Sequence, residues 1–218
     1  MPFAIRHRDD PTPALSPIEG MSIRRELDAG AMATLQNRSV EEISSRFAAG
    51  HRAYVAIING HAAAWGWVAT STADIGELGA HLTLSSEERY LWNFVTLPAY
   101  RGLGIYPRLL QAIVRAESAD VERFWIGYAP ENHASGAGIR KAGFVTAVEM
   151  SFDANSQPAL RAELPTEAAA ASRVLGLPIT SEPLSPCWRC VRAGRSGMSC
   201  SEGSCQCDYQ EPKSGCAA

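Results

Sequence analysis

The chain has 218 residues, of which 46% are hydrophobic and 20% charged, and its formal net charge is -3. This composition is typical of a soluble globular protein, and the charge gives no electrostatic basis for binding nucleic acid or an anionic membrane. No apolar run has the length of a transmembrane helix, and the N-terminus has no apolar signal core. We therefore expect a cytoplasmic protein whose cysteines are mostly reduced.

The first part of the chain is irregular in pattern. Residues 1–20 contain Pro11, Pro13 and Pro17, and they are predicted to form a flexible leader because proline disfavours regular structure. The globular domain is predicted over residues 21–155. Its first element is an alternating strand at 21–26.

A helix and a hairpin are predicted next. Ser39 and Glu42 form a capping-box pattern at the start of a helix. Asn59 and Gly60 then separate two apolar runs. Because this dipeptide tolerates the positive φ angles of a tight type I′ turn, the two runs are predicted to pair as a β-hairpin.

Two tryptophans occur in the second arm of this hairpin. Trp65 and Trp67 are two residues apart, so they lie on one face of the strand. They either wall an acceptor pocket or belong to the sheet core, and the core interpretation is favoured. Residues 73–88 follow as a loop or short strand, and residues 89–97 as the central strand.

The central strand is followed by a glycine-containing turn and a helix. The strand stops at Pro98, and Arg101, Gly102 and Gly104 follow. The apolar residues of the next segment recur on one helical face, at Leu109, Leu110, Ile113 and Val114. Such a turn leaves backbone N–H groups unpaired at the positive end of a helix, which suits a phosphate group.

The segment that joins this strand to this helix, VTLPAYRGLGIYPRLL, resembles the acyl-CoA-binding segment of the GCN5-related N-acetyltransferase (GNAT) superfamily. In that superfamily an (Arg/Gln)-x-x-Gly-x-(Gly/Ala) loop holds the pyrophosphate of acetyl-CoA through backbone amides. Arg101 and Gly104 fit the first two defined positions, but Tyr106 stands where a small residue is usual. The tyrosine must point away from the phosphates or pack on the cofactor. The resemblance implies cofactor contacts at Phe94, Val95, Thr96, Arg101, Gly102, Leu103, Gly104, Ile105 and Tyr106.

A second motif follows in the expected order. Asn132-x-x-Ser135 and then Lys141-x-Gly143-Phe144 resemble the second conserved segment of the superfamily. The resemblance adds Asn132 and Ser135 to the cofactor-binding residues, with Asn132 bonding the pantetheine or the adjoining backbone. The position of Asn132 also fits a helix N-cap, and both roles are compatible.

Direct attack of an amine on a thioester needs a base, a proton donor for the leaving thiolate and a donor for the developing oxyanion. The resemblance places the oxyanion donors on the backbone of the central strand. This strand contains no glutamate, so Glu77 is the first candidate for the base, with His81 and Glu88 behind it. The tyrosine that often protonates the thiolate in this family is replaced by Ile139. Tyr128 is then the predicted acid, and a core aromatic is its alternative role.

The C-terminal part is distinct in composition. Residues 156–184 are predicted as a linker with a short helix, and residues 185–218 as a Cys-rich segment. All six cysteines lie in that segment, at Cys187, Cys190, Cys200, Cys205, Cys207 and Cys216. Their short spacings suit zinc or another thiophilic metal. The alternatives are a redox-labile, unstructured tail and, for residues 186–193, a final sheet strand.

Taken together, the patterns predict an α/β fold with a GNAT-like mixed, mostly antiparallel central sheet flanked by helices and with a Cys-rich C-terminal tail. The resemblance implies an N-acetyltransferase that moves an acetyl group from acetyl-CoA to a small-molecule or peptide amine by direct attack. The alternative is a non-catalytic acyl-CoA-binding module with a metal- or redox-responsive tail.

Overall fold

The computed structural model describes residues 1–76 and 79–185. Within these ranges the chain forms ten strands and five α-helices. In chain order they are β1 (Pro2–His7), β2 (Met21–Glu26), α1 (Ala29–Gln36), α2 (Val40–Ala48), β3 (Arg52–Ile58), β4 (His61–Ala69), β5 (Thr72–Ile75), β6 (Ala80–Thr83), β7 (Glu88–Thr96), α3 (Ile105–Glu117), β8 (Arg123–Gly127), α4 (His133–Lys141), β9 (Val145–Phe152), β10 (Pro158–Ala162) and α5 (Pro165–Leu175).

Eight of these strands form one sheet in the order β10-β9-β1-β8-β7-β4-β3-β2, and β5 and β6 form a separate hairpin. The pair β7–β8 is parallel, whereas the other neighbouring pairs of the large sheet are antiparallel. The predicted α/β fold with a mixed, mostly antiparallel sheet is therefore confirmed.

Helices cover both faces of the sheet. Successive residues of β7 alternate between the faces, so Leu91 packs with α3 and α4 whereas Trp92 packs on the opposite side. That opposite side is covered by α1 and α2 over one half of the sheet and by α5 and the β5–β6 hairpin over the other half. Trp92 lies where these two halves meet, because it contacts both clusters.

The local turn and cap signals are present as predicted. Asn59 and Gly60 have φ angles of 49° and 83°, which matches the positive φ angles of a type I′ turn between β3 and β4. The Ser39 side chain accepts a hydrogen bond from the Glu42 N–H at 3.1 Å and so caps α2. In contrast, the sequence analysis did not predict α1. Its N-cap is Asp28, whose carboxylate accepts from the N–H groups of Gly30 and Ala31.

The flexible-leader prediction is wrong for residues 2–7. These residues form β1, which lies between β8 and β9 and is almost wholly buried. The Phe3 ring stacks on Trp125 with centroids 5.2 Å apart. Residues 8–20 have no strand or helix, but they are tied to α3, since Gln111 Nε2 donates to the Pro13 carbonyl at 2.9 Å. A strand of six residues is too short for its periodicity to be recognised before a run of prolines.

The boundary predicted at residue 155 also does not separate two bodies. Strand β10 continues the large sheet beside β9. The predicted short helix is present as α5, and its residues Ala171, Val174 and Leu175 are buried in the same core cluster as Trp125. The segment predicted as a linker is thus part of the domain. The Cys-rich segment, apart from Ser185, lies outside the described residues.

A buried carboxylate links α3 to the sheet. Glu117 accepts hydrogen bonds from Tyr54 Oη at 2.6 Å and from Arg89 Nε at 3.2 Å, and it also pairs with Arg52. Only 1% of the Glu117 side chain is exposed. Because a buried charge is costly unless it is paired and hydrogen-bonded, this cluster fixes the C-terminal end of α3 on β3 and β7.

Candidate active site

The centre of the sheet opens between its two parallel strands. The β7–β8 pairing runs from Glu88 with Arg123 to Leu91 with Ile126 and stops there. Beyond Leu91, β7 continues to Thr96, whereas β8 ends at Gly127. A gap therefore lies beside residues 92–96 of β7, and α3 and α4 border it on one face of the sheet.

A β-bulge interrupts β7 at this gap. Trp92 pairs with Trp67 and Val95 pairs with Trp65, so Asn93 and Phe94 together face a single residue of β4. Asn93 has a φ of 51°, a conformation that non-glycine residues rarely adopt. A bulge leaves backbone groups out of the regular ladder. The bulge therefore lies at the start of the segment where the sequence predicted oxyanion donors and cofactor contacts, at Phe94, Val95 and Thr96, and shares Phe94 with it.

The bulge is held by packing against β4. A Cβ added to Gly66 would lie 2.0 Å from Cε1 of Phe94. Because this distance is far below van der Waals contact, only glycine at position 66 allows the Phe94 ring to lie across the strand. The Phe94 side chain is thereby directed to the α3–α4 face, where it packs against Tyr106.

The N-terminus of α3 is the second feature of the site. Gly102 and Gly104 have φ angles of 80° and 73°, and Gly104 is the N-cap residue of α3. No side chain caps this helix, and its first turn has no acidic residue. The first-turn amides lack helical acceptors and carry the positive end of the helix dipole, so the loop suits an anionic phosphate group.

Arginines stiffen this loop from both sides. Arg101 Nε donates to the Thr96 carbonyl at 3.2 Å, and its side chain is otherwise exposed. Arg108 Nη1 donates to the Gly104 carbonyl at 2.6 Å, and Nε donates to the Ser16 carbonyl at 2.9 Å. The bond to Gly104 holds a carbonyl of the loop, whereas the bonds to Thr96 and Ser16 tie the loop and α3 to β7 and to the segment before β2.

The second motif forms the N-terminus of α4. Asn132 is its N-cap, and Oδ1 accepts from the Ser135 N–H at 3.0 Å. The N-cap role of Asn132 is therefore observed, while its contact with pantetheine remains a prediction. The Ser135 hydroxyl lies 3.4 Å from Tyr106 Oη. This contact joins the first turns of α3 and α4.

Two aromatic rings pack against the glycines of α4. An added Cβ on Gly138 would lie 2.4 Å from Cδ1 of Tyr106, and one on Gly136 would lie 2.7 Å from Cε2 of Tyr128. Burial raises the pKa of the Tyr106 phenol well above its ordinary value, although the hydrogen bond with Ser135 partly opposes this. Tyr128 is half-buried at the end of β8 and thus lies against the first turn of α4. Both phenols therefore reach the same helix end.

The tryptophans of β4 belong to the core. Trp65 is 7% exposed and Trp67 is fully buried, so the favoured interpretation from the sequence holds and neither ring walls an open pocket. Trp92 is half-buried and faces the side opposite to α3 and α4. Its ring is therefore a partly exposed aromatic surface near the gap on that face.

A histidine contacts Trp92 on this face. His51 Nδ1 accepts from Trp92 Nε1 at 3.1 Å, and the Arg46 guanidinium lies 5.0 Å from the Trp92 ring centroid. Burial and then the Arg46 charge lower the pKa of His51, while Asp74 opposes them. The imidazole is thus neutral near pH 7. The sequence analysis missed this group, because no spacing links residues 51 and 92.

The three candidates for the base fall in different environments. Glu77 lies outside the described residues. The Nδ1 atom of His81 lies 2.7 Å from Oδ1 of Asp74, on the exposed side of the β5–β6 hairpin. Glu88 is unsuitable as a base because it is fully buried and accepts a hydrogen bond from Arg173 at 2.6 Å. Burial alone would raise the pKa of Glu88, but its hydrogen bonds, from Arg173 above all, lower it instead.

The predicted metal ligands Cys187, Cys190, Cys200, Cys205, Cys207 and Cys216 lie outside the described residues, as does the strand proposed for 186–193. Over residues 1–76 and 79–185, no group of three or more His, Cys, Asp and Glu side chains is arranged to hold a metal ion. Metal binding by the cysteines therefore stays a prediction. None of the helices in the described ranges combines the length and apolarity needed to cross a membrane.

The chain was also compared with known proteins. No curated protein matches the chain. Among solved structures, a GNAT-family acetyltransferase from Streptococcus pneumoniae is 16% identical, with 60% of this chain and 88% of that chain covered and a TM-score of 0.45. A putative acetyltransferase from Salmonella typhimurium, solved with acetyl-CoA, is also 16% identical over 61% of this chain and 84% of that one, with a TM-score of 0.45.

A third solved structure is that of AAC(6')-Iy in complex with the bisubstrate analogue CoA-S-monomethyl-acetylneamine. It is 18% identical, with 61% of this chain and 96% of that chain covered and a TM-score of 0.47. The sequence model of the Acetyltransferase (GNAT) family matches residues 22–144, which is more than half of the chain. This match includes the bulged strand, the glycine loop and the α4 motif, and it shows that the chain belongs to the GNAT family of acetyltransferases.

Proposed function

We propose that this protein is an N-acetyltransferase that moves an acetyl group from acetyl-CoA to an amine by direct attack. The observation that carries the proposal is the bulge at Asn93 and Phe94, which lies beside the β7–β8 gap and on the strand that leads into the uncapped α3 N-terminus. Acetyl-CoA is the co-substrate that goes with an acetyltransferase family.

This arrangement supports the following proposal for the residues that bind the co-substrate. The pyrophosphate is assigned to the amides of the loop and first turn of α3, with Arg101 beside them. The pantetheine is assigned to the bulged part of β7 and to the first turn of α4, which begins at Asn132. Ser135 lies on the side of that turn that faces Tyr106. Backbone N–H groups of residues 94–96 are the proposed donors to the thioester oxygen.

The chemistry needs one proton removed and one supplied. Attack of the amine nitrogen on the thioester carbonyl breaks the carbon–sulfur bond and releases CoA. The proposed base is Glu77 or His81, of which His81 is on β6, and the proposed acid is Tyr128. The acceptor is a small-molecule or peptide amine that approaches over Trp92, on the face opposite to α3 and α4. A cytoplasmic location belongs to the same proposal.

The direct test of the function measures binding and turnover separately. Calorimetry with acetyl-CoA is expected to show one site for each chain. A thiol-release assay over small amines, polyamines and N-terminal peptides is expected to find at least one acceptor. Absence of acetyl-CoA binding would contradict the proposal, whereas binding without turnover on every amine class would favour a non-catalytic module.

The role of Tyr128 is tested by removing one oxygen atom. We expect Tyr128→Phe to lower kcat about tenfold, toward the weak end of general-acid effects because a thiolate leaves readily. The dissociation constant for acetyl-CoA is expected to stay the same. Tyr100→Phe is the matched control, because Tyr100 is a half-buried tyrosine of the same core cluster. An unchanged kcat in Tyr128→Phe would assign that ring to packing alone.

The base is identified by a pair of substitutions that each replace a titratable side chain with an uncharged amide. His81 is a reasonable base because Asp74 orients its ring through Nδ1 and leaves Nε2 available. We expect either Glu77→Gln or His81→Gln to lower kcat/KM about a hundredfold near pH 7 and to flatten its rise with pH. The other substitution is expected to have less than about a threefold effect. Wild-type pH profiles in both variants would place the base elsewhere.

A further inference from the structure

Tyr106 connects three elements that border the gap. It is the second residue of α3, and its hydroxyl oxygen lies 3.4 Å from Ser135 Oγ on α4. Its ring lies directly on the α4 backbone, since an added Cβ on Gly138 would come within 2.4 Å of Cδ1. On its other side the ring contacts Phe94 of β7, with centroids 5.4 Å apart.

These contacts place the ring across the gap on the α3–α4 face. The centroid separation from Phe94 is that of rings in van der Waals contact, and the contact with Gly138 is equally close. The row Phe94, Tyr106, Gly138 therefore runs without a break from β7 to α4. An extended chain such as pantetheine has no room to pass between these residues while the ring keeps this position.

We propose that Tyr106 is a gate whose ring competes with the pantetheine arm of acetyl-CoA for the space between β7 and α4. The inference rests on the proposed function, because the arm is that of the proposed co-substrate. In this arrangement acetyl-CoA enters the gap only when the Tyr106 ring has turned away from Gly138 and Ser135.

The ring is held by contacts that are few and readily broken. Its side-chain hydrogen bond to Ser135 is long at 3.4 Å. Gly138 has no side chain that interlocks with the ring, and Tyr106 is on the first helical turn, where the chain enters from a glycine-containing loop. The Tyr106 side chain is half-buried between these neighbours, so the closed position is favoured but not locked.

The gate predicts an effect on the association rate that depends on the pantetheine arm. Stopped-flow tryptophan fluorescence with acetyl-CoA is expected to show an association rate constant at least tenfold higher in Tyr106→Ala than in the wild type. Adenosine 3′,5′-bisphosphate has phosphates but no arm, so its association rate is expected to change less than twofold. If the change in tryptophan fluorescence is too small, competition with a fluorescent CoA analogue gives the association rate instead.

Gly138→Ala tests the same gate by changing the residue of α4 that the Tyr106 ring contacts. The added methyl group overlaps the Tyr106 ring and must push it out of the gap, while alanine is a better helix former than glycine. This variant is expected to bind acetyl-CoA severalfold faster than the wild type. In the double variant Tyr106→Ala with Gly138→Ala, the rate is expected to equal that of Tyr106→Ala, because there is no ring left to displace.

Two further variants distinguish an effect on the gate from an effect of misfolding. Tyr106→Phe removes only the Ser135 hydrogen bond, and its association rate is expected to rise about two- to threefold. Phe47→Ala removes a half-buried aromatic ring on the opposite face of the sheet, and its association rate is expected to match the wild type. Thermal melting confirms that each protein is folded.

The outcomes separate the gate from the proposed function. If the wild type binds acetyl-CoA and Tyr106→Ala binds it at the same rate or more slowly, the gate is overturned and the proposed function is not. Equal acceleration for acetyl-CoA and adenosine 3′,5′-bisphosphate also overturns it, because the effect would then act on the phosphate loop. Absence of acetyl-CoA binding in the wild type and in every variant overturns both.

Discussion

Replacing Leu103 with aspartate is expected to raise the dissociation constant for acetyl-CoA about a hundredfold, equivalent to about 2.7 kcal/mol. Leu103 is 53% exposed and lies immediately before the N-cap residue of α3. A carboxylate there competes for the same amides as the pyrophosphate and repels it, and like charges about 4 Å apart near a protein surface interact by about 4 kcal/mol. Calorimetry in low and high salt measures the effect.

The control for this prediction is Leu103→Asn. Asparagine has the same shape as aspartate and also caps helices, but it carries no charge. We expect its dissociation constant to remain within about threefold of the wild-type value, and the melting temperature of both variants to equal or exceed that of the wild type. Equal weakening by aspartate and asparagine would mean that the leucine side chain, and not the helix terminus, governs binding.

Replacing Glu117 with glutamine is expected to lower the free energy of unfolding by about 3 to 5 kcal/mol. The carboxylate is the acceptor for Arg52, Arg89 and Tyr54, and only 1% of its side chain is exposed. A neutral amide leaves two guanidinium groups without a counter-charge beneath α3. Urea denaturation followed by circular dichroism measures the loss.

An exposed ion pair provides the matched comparison. Glu163 pairs with Arg161 at 3.0 Å, with side-chain exposures of 40% and 52%. Glu163→Gln is expected to change the free energy of unfolding by less than about 1 kcal/mol, since solvent screens such pairs. Similar losses in Glu163→Gln and Glu117→Gln would show that burial of Glu117 is not the source of its effect.

The parts of the site that the sequence predicted are those made by neighbouring residues. The loop from Arg101 to Tyr106 and the cap at Asn132 depend on glycines, a capping side chain and the helix that follows, all within a few residues. The hairpin at Asn59 and Gly60 is determined in the same way. Such features can be predicted from the sequence because the conformational preference and its cause lie in the same short segment.

The parts that the sequence did not predict depend on contacts between distant segments. In the sequence, Glu88 cannot be distinguished from a surface glutamate. In the structure it is buried and paired with Arg173 of α5, so it has a structural role and is not a candidate base. His51 meets Trp92 only because β3 and β7 both pair with β4. Glycines are unfavourable in the interior of a helix, yet those of α4 leave room for the rings of Tyr106 and Tyr128.

The sequence by itself indicated the family, the order of most strands and helices and the position of the glycine-containing loop before α3, because two motifs with local physical causes occur in the right order. Only the tertiary structure decided that β1 lies inside the sheet, that Trp65 and Trp67 are core, and that Tyr106 spans the space between β7 and α4. The physical reason is that burial and ring packing depend on which segments pair across the sheet.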